Sequence, residues 1–223
     1  MSLETTNIDR KQRGPGRPEG TSVIRNDILD AAEIVFSNLG YAGTSMREIA
    51  QRAKVTQALI SYYFGSKFGL FEQAFLRRSE PISLERIELL EALQRAGEPT
   101  AREVVRAFLL PTVSLRASSQ GRAFLRLQAR LHTEPPEISY QLRTRAYGGS
   151  TGRYVEALRA ALPSLSELDA HWRVTMMIGT YLYAFSDTHR MEEMIGPTVY
   201  DPADTESLIE QVTRFVAGGF EAR

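Results

Sequence analysis

Residues 55–67, with the sequence VTQALISYYFGSK, combine a short apolar stripe with side chains that form hydrogen bonds. Leu59, Ile60 and Phe64 recur at helical spacing, which predicts the inward face of a helix. The remaining positions supply hydroxyls, an amide, two phenol rings and an ammonium group. Hydroxyl and ammonium groups bind phosphate, and an amide can pair with the edge of adenine. The stretch therefore predicts a short helix whose outer face meets nucleic acid rather than a protein core.

A group of cations stands far upstream of this helix. Residues 1–20 contain Arg10, Lys11, Arg13 and Arg17 among glycines and prolines that disfavour a helix. The whole chain carries 27 basic and 27 acidic residues, yet a flexible basic arm attracts phosphate whatever the net charge. Its RGPGRP segment resembles the AT-hook, a minor-groove-binding motif with a Gly-Arg-Pro core. The arm is thus predicted to contact DNA, the alternative being a solvated tail.

The elements around the polar helix have clear start and stop signals. Apolar residues at helical spacing predict a first helix over residues 23–39, capped by Thr21 or Ser22 and ended by Gly40. Ser45 and Glu48 have the spacing of a capping box for a second, two-turn helix. Lys54 and Val55 then form a tight turn, and Thr56 caps the third helix. Two short helices joined by a turn predict a helix-turn-helix, whose second helix lies in the major groove.

Residues 25–75 resemble the DNA-binding domain of the TetR family of bacterial transcription regulators. The segments that carry the resemblance are ILDAAEIVF, GYAGTSMREIA and YYFGSKFGLF. Two positions depart from the family pattern: Lys54 stands where the turn usually has Gly, which predicts a left-handed lysine, and Ser61 stands where many members have Tyr. The resemblance implies DNA contacts from Thr44, Ser45, Met46, Arg47, Thr56, Gln57, Ala58, Leu59, Ser61, Tyr62, Tyr63 and Lys67.

These twelve positions divide by chemistry. Arg47, Gln57 and Tyr62 are the leading candidates for reading base sequence. Thr44, Thr56, Tyr63 and Lys67 are expected mainly to position the DNA backbone.

The rest of the chain shows helical periodicity and no sustained alternation, so we predict an all-α protein of nine or ten helices. The fourth helix is predicted from Ser66 to about Ser79, where Pro81 kinks or ends it, and the GGSTGR segment at 148–153 is expected to break another helix. Thr100 and Glu103 have capping-box spacing for a later helix, and two more are expected to begin at Ser166 and Asp204. The predicted organisation is a basic arm at 1–20, a helix-turn-helix domain at 21–70 and a larger helical domain at 71–223 for ligand sensing and dimerisation.

Residues 166–186 predict a long helix that is apolar nearly all round, with Leu168, Trp172 and Met176 on one side. Such a helix must be covered on every side, either by one large domain or by a second copy of the chain. In the family that the chain resembles, the last two long helices pair with those of a partner in a four-helix bundle. The resemblance therefore implies a homodimer, whose two-fold symmetry suits a palindromic operator.

The resemblance also implies that the larger domain encloses a pocket for a small, hydrophobic effector. Arg126, Arg130 and Arg145 are candidates to meet an anionic ligand. Plain core packing is the alternative for each apolar candidate. The candidate pocket residues are Phe108, Phe124, Leu127, Gln128, Tyr147, Trp172, Met176, Met177, Thr180 and Tyr181.

Other chemistry is poorly supported. The chain has no cysteine, and His132, His171 and His189 lack the spacing of metal ligands, so we expect no cofactor, no metal and no catalysis. No signal peptide or membrane-length apolar run is present, which predicts a cytoplasmic protein.

The prediction is a homodimeric, ligand-responsive repressor that binds a double-stranded operator. An activator, or a DNA-binding regulator without a ligand, is the alternative, and a helical enzyme or interaction module would need neither the arm nor the helix-turn-helix.

Overall fold

The computed structural model describes residues 19–186, 189–196 and 198–222. Within these ranges the chain forms ten α-helices, one short 3-10 helix at Ser114–Ala117 and no strand, so the predicted all-α class is confirmed. The helices are α1 Glu19–Gly43, α2 Met46–Ala53, α3 Gln57–Phe64, α4 Lys67–Ala96, α5 Ala101–Val113, α6 Ser119–Leu131, α7 Pro136–Ala161, α8 Glu167–Phe185, α9 Arg190–Ile195 and α10 Thr205–Glu221.

Helix α1 starts earlier than the sequence predicts. Its first described residue is Glu19, so Thr21 and Ser22 lie inside the helix and the predicted cap is wrong. Gly40 interrupts the helix as expected, because its backbone (φ 72°, ψ 177°) is not helical. Glycine adopts this positive φ without the steric cost that a Cβ would bring. A short helical turn then leads to Gly43 and into the helix-turn-helix.

Helix α4 continues through Pro81 for 30 residues, so the predicted end near residue 79 is wrong. A proline inside a helix removes one hydrogen bond and crowds the preceding turn. Both halves of α4 nevertheless bury apolar side chains, with Leu76 and Ile82 on either side of the proline and Leu90 further along. Packing of an amphipathic face outweighs one lost bond, and α4 therefore continues as one helix from Lys67 to Ala96.

Helix α7 also runs without a break, through the glycine-rich segment at 148–153 that was expected to interrupt it. Each glycine in a helix costs about 1 kcal/mol relative to alanine, but the segment packs closely against α4. Ser150 is buried, and the Ser83 hydroxyl of α4 donates to its Oγ at 2.9 Å. Small side chains at this crossing let the two helices approach, so tertiary packing overrides the local preference.

Two clusters of buried side chains form the core. One, which we call the body cluster, is built mainly from α5, the second half of α7, α8 and α10. The other, the head cluster, joins α1, α2, α3 and the first half of α4 to Phe124, Leu127 and Leu131 of α6 and to the start of α7. The helix-turn-helix thus completes its core with residues beyond position 70.

Local signals placed most of the remaining helix starts correctly. Thr100 and Glu103 form a capping box for α5, as predicted. Ser166 caps α8 and Asp204 caps α10, each by accepting a backbone N–H bond. Helix α9 was not predicted, since its six residues carry too short an apolar pattern.

Candidate functional site

The helix-turn-helix is held by caps at the starts of α2 and α3 and by a left-handed residue in the turn between them. Ser45 Oγ accepts from the Glu48 N–H at 3.2 Å, while the Glu48 carboxylate accepts from the Ser45 N–H at 2.8 Å. The Ser45 hydroxyl also donates to this carboxylate at 2.8 Å, and the hydrogen bonds from the Ser45 N–H and hydroxyl lower the pKa of the Glu48 carboxyl. Lys54 adopts the left-handed conformation (φ 56°, ψ 40°), as its place in the turn predicts. Thr56 Oγ1 then accepts from the Leu59 N–H at 3.2 Å and starts α3.

Helix α3 divides into a buried side and an open side. Ile60 and Phe64 are buried in the head cluster, which confirms the core assignment of Phe64. Tyr62 is 80% exposed, although a tyrosine ring usually buries much of its surface. A helix with a polar exposed face of this kind can enter the major groove and present hydrogen-bonding groups to base edges. The exposed side chains of α3 are Gln57, Ala58, Ser61 and Tyr62.

Other predicted contact residues divide between the surface and the core. Arg47 and Ser45 at the start of α2 are exposed, as is Thr56. Thr44 is buried, and its hydroxyl donates to the Gly40 carbonyl at 2.7 Å, so its side chain does not reach the surface. Met46 and Tyr63 are half-buried and pack against the head cluster, and Leu59 is half-buried as well.

Lys67 begins α4 and lies against the end of α1. Its Nζ donates to the Ala42 carbonyl at 3.4 Å and lies 4.6 Å from the centre of the Tyr41 ring. An ammonium group has three donors, so two remain for another acceptor. Lys67 therefore presents a fixed positive charge beside the N-terminal amides of α4, an arrangement suited to phosphate. The predicted arm residues Arg10, Lys11, Arg13 and Arg17 lie outside the described residues.

A cavity of about 490 Å³ lies between α7 and α8, with α4 and α5 below it. Of the predicted pocket residues, Phe108, Tyr147 and Tyr181 line it. Gln128 stands behind them and donates through Nε2 to the Tyr147 hydroxyl at 2.7 Å. The floor is buried, whereas the mouth is formed by exposed residues at His132, Thr144, Gly148, Thr175 and Gly179.

The remaining predicted pocket residues lie elsewhere. Phe124 and Leu127 belong to the head cluster, and Met177 belongs to the body cluster. Trp172 and Met176 are exposed on the outer side of α8. The half-buried Thr180 donates to the Met176 carbonyl at 2.8 Å. Helical periodicity places residues on a helix face but not opposite a given neighbour, so it did not separate pocket from core.

The three arginines expected to meet an anionic ligand do not line this cavity. Arg130 donates to the Asn38 carbonyl at 3.0 Å, and Arg145 pairs with Glu72 at 2.9 Å. Arg126 lies at a shallow depression on another side. Two arginines line the cavity: Arg143, which is half-buried, and the buried Arg86, which was not among the residues predicted from the sequence. Its position on the apolar stripe of α4, four residues from both Ile82 and Leu90, was the available indication.

An apolar surface covers the outer side of α8 and part of α10, and we call it the α8–α10 face. Its exposed apolar residues are Leu168, Trp172, Met176, Tyr183 and Phe215. A groove of about 600 Å³ adjoins it near α9 and includes Tyr183, Met191 and Val199. Large contiguous apolar surfaces of this kind mark interaction sites. This groove is thus a different feature from the cavity at Arg86, whose floor is buried.

In the part of the chain that the structure describes, no three His, Asp or Glu side chains are grouped so that they could hold a metal ion. None of the described helices is long and apolar enough to span a membrane.

Two family profiles match this chain, and both describe one family. The profile described as "Bacterial regulatory proteins, tetR family" matches residues 28–74. A second profile, "Tetracyclin repressor-like, C-terminal domain", matches residues 106–219, just over half of the chain. The first therefore contains the helix-turn-helix, and the second contains the cavity-lining parts of α5, α7 and α8.

Individual relatives match this chain over about fifty residues. The HTH-type transcriptional regulator BetI of Paraburkholderia xenovorans is 40% identical over 50 residues, which is 22% of this chain and 26% of that protein. The negative regulator of the biofilm operon icaADBC, IcaR of Staphylococcus aureus, is 35% identical over 51 residues, or 23% of this chain and 27% of that protein. The matched segment therefore spans about a quarter of the length of these relatives.

The whole fold has counterparts among solved structures. The fatty acid degradation regulator FadR from Bacillus halodurans superposes with a TM-score of 0.62, covering 87% of this chain and 98% of that one. The two are 18% identical, so this likeness shows the fold alone.

Proposed function

This chain belongs to the TetR family of bacterial transcription regulators, a family of DNA-binding proteins and not of enzymes, and on that premise we propose that it is a homodimeric, ligand-responsive repressor. It binds a palindromic operator through α3 and is released when a small hydrophobic molecule occupies the larger domain. The open polar side of α3, with Gln57, Ser61 and Tyr62 exposed, is the observation that carries the proposal. An activator, or a regulator without a ligand, is the alternative.

Repression is favoured over activation by one relative. IcaR, which is 35% identical over 51 residues, is named a negative regulator. A repressor needs only to occupy its operator, and a tight two-fold contact suffices for that. We further propose that residues 1–20 act as a DNA-binding arm, 21–70 as the reading domain and 71–223 as the sensing and dimerisation domain.

The α8–α10 face supports the homodimer. Its apolar side chains leave a broad surface uncovered on two long helices, and in a two-fold dimer the same surface of a second copy would cover it. Such a dimer would place two copies of α3 on one side of the DNA, about one helical turn apart, as a palindromic site requires.

Contacts made by α4 and α6 support the proposal that a ligand in the cavity changes the binding of DNA. Gln128 of α6 hydrogen-bonds the cavity residue Tyr147, and one turn earlier the Phe124 ring lies 5.4 Å from that of Phe75 in the head cluster. Beyond α6, the Glu134 carboxylate accepts from the Tyr41 N–H at 2.7 Å, next to the kink at Gly40. We propose that these contacts have two arrangements, one in the DNA-bound protein and one in the free protein. A ligand that binds the second arrangement better shifts the protein towards it and so moves the two helix-turn-helix units of the dimer.

Lys67→Ala is expected to weaken binding to all DNA sequences and to flatten the dependence of log affinity on log salt by about one unit. The reason is that one phosphate contact, and the counterion released with it, is lost. Fluorescence anisotropy at several salt concentrations measures both quantities. Arg95→Ala, at the opposite end of α4, serves as the control and should leave the slope unaltered. An unchanged slope in Lys67→Ala would show that this lysine does not bind phosphate.

Gln57→Ala should instead change base preference at one position in each half-site, by about 1–3 kcal/mol for the affected base. The exposed amide of Gln57 is lost, whereas the phosphate contacts remain. Selection of binding sites from random DNA measures the preference of each variant. Gln51→Ala removes an exposed amide from α2 and should give the wild-type site. The wild-type site should be palindromic, and a site without two-fold symmetry would contradict the proposed dimer.

A further inference from the structure

Arg86 is a charged side chain in the interior of the protein. It is 1% exposed and is among the largest fully buried side chains of the chain. Ile82 and Leu90, one turn away on either side, are buried as well, so Arg86 occupies a core position of α4. Arginine is almost never buried to this degree unless it has a partner of opposite charge.

The hydrogen bonds of Arg86 leave its charge uncompensated. Nε donates to the Phe108 carbonyl and Nη2 to the Thr112 hydroxyl, both at 2.9 Å. The guanidinium carbon lies 3.6 Å from the centre of the Phe108 ring. Among the described residues, no carboxylate pairs with Arg86 and no hydrogen bond uses its Nη1. The rings of Tyr147 and Tyr181 lie further away, each with its centre 5.6 Å from the guanidinium carbon. Aromatic rings and two neutral acceptors offset only part of the desolvation of a buried cation.

The charge of Arg86 faces the cavity between α7 and α8. Arg86, Phe108, Tyr147 and Tyr181 form its buried floor, and no Asp or Glu is among its lining residues. Burial raises the pKa of the Tyr147 hydroxyl, which therefore stays neutral and able to donate a hydrogen bond. Gln128 holds this hydroxyl through Nε2, while its own Oε1, also buried, has no hydrogen-bond partner.

The wall and mouth of the cavity are apolar or neutral, with one further cation. Ile178 and Leu182 contribute aliphatic surface from α8. At the mouth, desolvation and the neighbouring Arg143 charge lower the pKa of His132 to about 4, so this imidazole is neutral at neutral pH. The site thus combines a buried cation and phenol hydroxyls at one end with apolar surface leading outward.

We propose that this cavity binds a hydrophobic carboxylic acid, with its carboxylate on the Arg86 guanidinium and its apolar body between α7 and α8. A carboxylate matches the planar donor geometry of a guanidinium and supplies the missing countercharge. The inference deepens the proposed function, because it names the chemical class of the effector. It rests on that function for its regulatory consequence, but the binding itself is independent of DNA.

The test compares acids with neutral molecules of the same shape. Isothermal titration calorimetry of the full chain with decanoate and decanol, and with naphthoate and naphthamide, measures direct binding. At least one acid is expected to bind at least about 30-fold more tightly than its neutral counterpart, because the neutral molecule has no carboxylate to pair with Arg86. If every neutral molecule binds as tightly as its acid, or if neither acid binds, the proposal is overturned.

Variants locate the binding. Arg86→Met should abolish the preference for the acid, whereas Arg86→Lys should keep part of it. Gly148 lines the cavity and Gly149 does not, and a Cβ at either position meets no backbone of another element. Gly148→Leu should therefore block binding of the acid, and Gly149→Leu should leave it intact. If Arg86→Met does not fold, two other results test the proposal. The acid must bind more tightly than its neutral counterpart, and Gly148→Leu but not Gly149→Leu must block its binding.

Operator binding is measured separately. Acid binding that depends on Arg86, in a protein that binds no operator, would support this inference and contradict the proposed function. A protein that binds its operator but binds acids no more tightly than neutral molecules would support the proposed function and contradict this inference.

Discussion

Phe215→Glu should dissociate the homodimer and weaken operator binding by about a hundredfold or more. Phe215 is 72% exposed on α10, and Trp172 is 58% exposed on α8. In a two-fold dimer the substitution occurs in both copies, so two carboxylates would be buried without partners in an apolar interface. A monomer then binds with one α3 helix, and the gain of linking two half-site contacts, typically about 10²–10⁴ in affinity, is lost.

Light scattering coupled to size exclusion measures the mass, and anisotropy measures operator binding by the same samples. Tyr140→Glu is the matched control, since Tyr140 is an equally exposed aromatic residue on α7, away from the α8–α10 face. The control should remain dimeric with wild-type affinity. A Phe215→Glu protein that stays dimeric at the same concentration would show that copies associate through another surface.

Phe124→Ala should lower the free energy of unfolding by about 3–5 kcal/mol, the range for truncating a buried phenylalanine. Phe124 is fully buried, and although it belongs to α6 it packs in the head cluster against Phe75. The loss is a large share of the stability of an ordinary domain. Urea unfolding followed by circular dichroism measures it.

The same experiment tests whether the helix-turn-helix depends on the larger domain. If α6 completes the head cluster, Phe124→Ala should unfold the head together with the rest and remove operator binding at temperatures where the wild type is folded. Tyr140→Ala, which truncates an exposed aromatic residue, should change stability by about 0.5 kcal/mol or less. A Phe124→Ala protein as stable as this control would mean that α6 does not support the head.

The helix-turn-helix could be predicted from sequence because short-range chemistry determines it. The Ser45–Glu48 box, the left-handed Lys54 and the Thr56 cap involve residues within a few positions of one another, and all three are present. Their partners are contained in the local sequence, so no knowledge of tertiary packing was needed. The same holds for the caps at Thr100, Ser166 and Asp204.

The continuous α4 and α7 could not be predicted in this way. Pro81 and the glycines at 148–152 are local breaking signals, and they are outweighed by contacts between helices distant in sequence. The cavity has the same origin, because it depends on which faces of α4, α5, α7 and α8 come together. Arg86 differs from the other cavity residues, because its place on the apolar stripe of α4 can be seen in the sequence. That it faces a cavity can be seen only in the fold.

The most direct test of the regulator account is fluorescence anisotropy of the purified protein on the intergenic DNA beside its own gene. The titration is repeated over a range of salt and with unlabelled competitor DNA. We expect tight binding that resists competitor, with two chains per site. Weak binding that disappears with salt or competitor, on this DNA and on sites selected from the genome, would contradict the account of α3 as a sequence-reading helix.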